Sequence, residues 1–192
     1  MLSTLLIEHN LALNAIYIKI RYNLCLRIKK HSNQIRMDID RYDRHILRQL
    51  QEDGRLSNQE LADRIGLSPS PCLRRVRTLE EAGVIAGYRA LVDAKALGLS
   101  LMALIHISMD QHTPERFDGF EAGIKDIPEI MECLLITGQS ADYQLKVVVR
   151  DMDAFQELLL SRITRIPGVT GVHSSFVLRR VVDKTALPVR NE

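Results

Sequence analysis

The chain has 192 residues, enough for one sizeable core or two modest ones, and its 46% hydrophobic and 26% charged residues are typical of globular proteins. A net charge of +2 hides an asymmetry, because residues 1–36 hold six Lys or Arg and one acid, which leaves −3 for the remainder. The three cysteines, Cys25, Cys72 and Cys133, are far apart without a Cys-x-x-Cys pair, so they offer neither a disulfide framework nor a zinc site, and a reducing cytoplasm suits them.

Residues 1–36 are rich in Leu, Ile and Asn and lack Gly and Pro. Their longest uncharged apolar stretch, Leu11 to Ile18, is too short to span a membrane, and the basic residues follow the apolar ones, the reverse of a signal peptide. A basic arm for DNA or a membrane surface is one reading; the simpler expectation is an extension preceding a natural start at Met37.

From Met37 the pattern becomes regular. Ile39, Ile46, Leu47 and Leu50 recur at helical spacing over Asp40 to Asp53, with Gly54 expected as a positive-φ stop. S-N-Q-E at Ser57 to Glu60 is a capping box, and Leu61, Ala62 and Ile65 face inward before Gly66. Ser68 is expected to cap a third helix with Pro69 and Pro71 in its first turn and a core stripe of Leu73, Val76 and Leu79, ending at Gly83. Three helices with about three residues between the second and third form a helix-turn-helix pattern. Arg74, Arg75 and Arg77 lie off the apolar stripe with no acid between Ser68 and Thr78, so Ser68, Pro69, Ser70, Pro71 and these arginines are the candidate DNA-binding residues. A merely solvated basic face is the alternative. The following V-I-A-G-Y-R-A-L-V-D alternates like a wing or connecting strand, and Ala94 to Leu99 reads as a linker.

The second half alternates Leu101, Ala103, Ile105, Ile107 and Met109 as a strand, then places Phe117, Phe120, Ile124 and Ile127 at helical spacing. Strands are expected at Ile130 to Thr137 and around Tyr143, Leu145, Val147 and Val149. A helix through Phe155, Leu158, Leu159, Ile163 and Ile166 and a last strand through Val172, Phe176 and Leu178 follow. The order β-α-β-β-α-β is the split βαβ of ferredoxin-like folds. Helices on one face leave the other needing a partner, so dimerisation through the sheet is expected. Leu101 to Met109 lacks the aromatics that RNA stacking requires. No P-loop, G-x-S-x-G or clustered Cys/His/Asp set suggests an enzyme, and no metal site is expected.

LSPSPCLRRVRTLEEAGVI, the preceding S-N-Q-E-L-A and the later T-G-Q-S-A-D-Y resemble the Lrp/AsnC (leucine-responsive, feast/famine) transcription regulators over Ile39 to Val182. The resemblance implies an α+β chain. A winged helix-turn-helix DNA-binding domain would span 37–88, a connection 89–99, a ferredoxin-like effector-binding and oligomerisation domain 100–182 and a tail 183–192. It also implies homodimers that assemble to octamers around which double-stranded DNA wraps, and small amino acids as effectors. The effector would bind at the loop after the second strand. Gly138 permits close approach of backbone N–H groups to a carboxylate, Gln139 and Ser140 add polar groups, and Asp142 can pair with an ammonium group. An ordinary hairpin turn is the alternative there. Leu134, Leu135 and Ile136 supply apolar surroundings that favour leucine or methionine over a charged effector, and Tyr143 reads more as core than as contact.

Overall fold

The computed structural model describes residues 38–136 and 141–189. These form two compact units, one of residues 92–180 and one of residues 38–91 together with 181–189.

The smaller unit opens with α1 (Arg41–Glu52). The Asp40 carboxylate accepts from the N–H groups of Tyr42 and Asp43, and Asp43 reaches back to the Asp40 N–H, a reciprocal cap that satisfies donors the helix cannot. Gly54 does not adopt a positive φ, contrary to expectation. Asp53 itself leaves the helix in an extended conformation, and its carboxylate accepts the Arg55 N–H at 2.9 Å, so the stop needs no left-handed residue. Helix α2 (Asn58–Ile65) carries the expected Ser57–Glu60 capping box and ends on Gly66 at φ 71°.

Helix α3 (Pro69–Glu81) follows after a three-residue turn, Gly66 to Ser68. Ser68 occupies the N-cap position without a side-chain capping bond. Of the donors such a hydroxyl normally reaches, the one at the third helical position is missing because Pro71 stands there. The core stripe keeps Val76 and Leu79 but takes Cys72 in place of Leu73. Cys72 and Leu79 are fully buried and Val76 half-buried, whereas Leu73 is 39% exposed. Together with Ile46, Leu61, Ala62 and Ile65 they form the unit's core. Gly83, at φ 71°, turns the chain so that the Val84 and Ile85 N–H groups close on the Leu79 carbonyl. Residues 84–93 then run without strand structure, because no second described segment offers them a ladder partner. In the tail, the Gln51 amide donates to the Leu187 carbonyl at 3.2 Å and accepts its N–H at 2.6 Å.

The larger unit is a four-stranded antiparallel sheet in the order β2-β3-β1-β4, with β1 at Leu101–Met109, β2 at Ile130–Leu135, β3 at Tyr143–Val149 and β4 at Val169–Phe176. Helices α4 (Pro114–Lys125) and α5 (Met152–Ser161) connect the strands. Phe117, Phe120, Ile124, Phe155 and Leu158 from these helices pack on Ala103, Ile105, Ile107, Leu145 and Val147 of the sheet. Alternate β1 residues, from Met102 to Ser108, stay half-buried. A short 3₁₀ turn, Ile163–Arg165, carries the apolar pattern beyond α5. Leu178 falls outside β4 and is 98% exposed, so it belongs to the tail rather than the sheet. No helix among the described residues is long and apolar enough to cross a membrane.

Candidate nucleic-acid interface and effector site

Helix α3 presents two faces of different chemistry. Ser70, Leu73, Arg74, Arg77, Thr78 and Glu81, spaced by three and four residues, line one shallow outward surface. Pro69 and Pro71 fix the first turn, and the Asn58 amide donates to the Pro69 carbonyl at 2.9 Å, tying that turn to α2. Arg74 and Arg77 enter no ion pair among the described residues. Their charge is therefore available to an anion.

Arg75 points elsewhere, which corrects the reading of three equivalent arginines. Its guanidinium lies 2.8 Å from both the Asp40 and the Asp43 carboxylates, and it stacks over the Tyr42 ring at 5.4 Å. The Asp43 side chain is only 4% exposed, so Arg75 neutralises an otherwise buried charge at the start of α1. Partial burial works against the charge on Asp40. The Asp43 N–H and the guanidinium outweigh it and hold that carboxyl below its usual range. The Asp43 hydrogen bond in turn raises the pKa of Arg75. Sequence spacing gave no sign of this contact, which joins residues 32 apart.

In the larger unit, Gly138, Gln139 and Ser140 lie outside the described residues, but both stems of their loop are placed. The Ile136 N–H donates to the Asp142 carbonyl, and the Asp142 N–H to the Ile107 carbonyl, both at 2.8 Å. Asp142 is 9% exposed. One carboxylate oxygen accepts the Met109 N–H at 2.8 Å and the other meets His112 Nε2 at 2.7 Å. The Asp142 carboxylate thus anchors the loop to β1 and to the start of α4. Leu135 pairs with Tyr143 across the β2–β3 ladder and is 39% exposed. Tyr143 is 1% exposed, packs on Phe117 and Phe120, and donates its hydroxyl to Glu121 at 2.9 Å. Burial, reinforced by Glu121, pushes its phenol far above the usual value, so it is a neutral core group. His112 was not singled out in the sequence, because its carboxylate partner lies 30 residues away. Among the described residues no group of three or more His, Cys, Asp or Glu side chains could hold a metal ion.

Comparison with known proteins matches both units. A family model for a winged helix-turn-helix DNA-binding domain covers residues 39–86, and one for an Lrp/AsnC ligand binding domain covers residues 102–187. The leucine-responsive regulatory proteins of Salmonella typhimurium and Escherichia coli K12 are 43% and 42% identical over 153 residues, spanning 80% of this chain and 93% of each relative. A transcriptional regulator of Neisseria meningitidis, crystallised with L-methionine, superposes with a TM-score of 0.75 at 40% identity, covering 79% of this chain and 97% of that one. Escherichia coli AsnC gives 0.71 at 30% identity, covering 78% and 98%. With a DNA-binding helix-turn-helix, an amino-acid ligand domain and relatives that are regulators rather than enzymes, this chain belongs to the Lrp/AsnC family of transcriptional regulators.

Proposed function

We propose that the protein is a cytoplasmic, sequence-specific regulator that binds double-stranded DNA through α3 and senses leucine or methionine to control genes of amino-acid metabolism or nutrient response. The observation that carries this reading is the outward stripe of α3, where Ser70, Arg74 and Arg77 stand clear of the core beside a rigid proline-started first turn. Phosphate neutralisation by Arg74 and Arg77 supplies affinity, and the helix start reaches base edges. A homodimer reads half-sites about one helical turn, roughly 34 Å, apart, and four dimers form an octamer.

The effector is held at the loop between β2 and β3. The Gly138 to Ser140 backbone, with Gln139, receives the carboxylate. Leu135 provides an apolar wall, Tyr143 supports the site from the core behind it, and Asp142 anchors the loop while presenting negative charge towards the ammonium group. The methionine complexes of the Neisseria meningitidis regulator and of a Mycobacterium tuberculosis feast or famine regulatory protein support an amino-acid effector. Titrating the twenty amino acids against thermal stability tests this: a ligand at 100 times its Kd adds roughly 2.7 kcal/mol if it binds only the folded form. Leucine or methionine is expected to raise the melting temperature. A response to neither removes the proposed effector.

A further inference from the structure

The outward stripe of α3 contains one side chain that a basic DNA-binding face does not require. Leu73 is 39% exposed and lies among Ser70, Arg74, Arg77 and Thr78. Cys72, Val76 and Leu79 already fill the inward face of the helix, so the core does not account for a leucine here. The Thr78 hydroxyl donates to the Arg74 carbonyl at 2.9 Å, which leaves Leu73 as the apolar feature of a polar surface.

We infer that Leu73 is a specificity-determining residue, packing against the C5-methyl group of a thymine in each DNA half-site. The inference rests on the DNA-binding reading above. In the major groove, the thymine methyl is the apolar group among edges that otherwise present hydrogen-bond donors and acceptors. Leu73 is the fifth residue of a helix that begins at Pro69, and so lies in the half that meets base edges in such motifs. Arg74 and Arg77, on the same surface, hold the helix to the backbone and fix its register, but phosphate contacts carry no sequence information. A leucine beside them gains from a methyl group and gains nothing from the polar edges of adenine, guanine or cytosine.

The test uses the full chain and its Leu73→Ala and Leu73→Met variants. The wild type first selects a preferred duplex from a random library, and each thymine of that duplex is then replaced in turn by deoxyuridine, which lacks only the methyl group. At one thymine per half-site the replacement should weaken wild-type binding about four-fold, the factor one buried methyl supplies. Changing both half-sites should weaken it roughly sixteen-fold if the positions are independent. Leu73→Met should keep the dependence, and Leu73→Ala should bind both duplexes alike with an unaltered melting temperature. Tolerance of deoxyuridine at every thymine overturns the inference while leaving DNA binding intact, as does undiminished sensitivity in Leu73→Ala. If the wild type enriches no sequence, the DNA-binding reading and this inference fail together.

Discussion

Arg74 and Arg75 are adjacent in the chain but about 100° apart around the helix, and this separates their roles. Arg74 faces outward beside Arg77, whereas Arg75 is held by Asp40 and Asp43. Arg75→Ala should therefore cost about 1–3 kcal/mol in urea unfolding, because it strands the buried Asp43 carboxylate. The Arg74→Ala/Arg77→Ala double variant should unfold like the wild type, yet lose DNA affinity and reduce the salt slope of binding by about four per dimer, two arginines from each protomer. Equal effects of the two changes on stability and on salt slope would remove the distinction. Asp142 has a similar double character, since its oxygens serve Met109 and His112. Asp142→Ala should both abolish amino-acid binding in calorimetric titration and destabilise the effector unit by about 1–3 kcal/mol, whereas Asp142→Asn should keep most stability and lose binding. Wild-type binding by Asp142→Asn would show that the charge is not used.

At the scale of elements, local chemistry was legible wherever it acts over a few residues. The Ser57–Glu60 box, the period-two alternation of β1 and β3 and the stop at Gly66 all appear where their signals stand. Signals that depend on distant partners were not legible. Residues 84–93 alternate like a strand but find no ladder, and the apolar positions of α3 permit either Leu73 or Cys72 to turn inward until α1 and α2 are in place. Leu135 and Tyr143 were readable as strand residues flanking the candidate effector loop, but the Asp142–His112 contact was not. The cap of α1 yields a pH prediction. Asp40 titrates below the ordinary value of 3.8, so its stabilising contribution is present above that value and is lost as pH falls through the lowered folded one. Asp40→Asn should flatten this part of the acid-unfolding curve; an unchanged curve would count against the cap. Because that cap is complete from Asp40 onward, a chain beginning at Met37 should fold and bind DNA like the full one. Loss of DNA binding in that chain would give residues 1–36 a function.

At the scale of the molecule, a helix-turn-helix and a ligand domain in one chain make a regulator only if the two sites share free energy. Such coupling typically amounts to about 1–3 kcal/mol, and it is reciprocal: an effector that weakens DNA binding is itself bound more weakly when DNA is present. We expect it to act through the way dimers meet in the proposed octamer, so that leucine or methionine shifts assembly size and DNA affinity together. The most direct measurement is the affinity of the full chain for its selected duplex, read by fluorescence anisotropy at fixed salt with and without saturating leucine or methionine. The predicted result is a change in Kd of about 5- to 150-fold with at least one of the two. Tight binding to the duplex with the same Kd in the presence of each amino acid would contradict it.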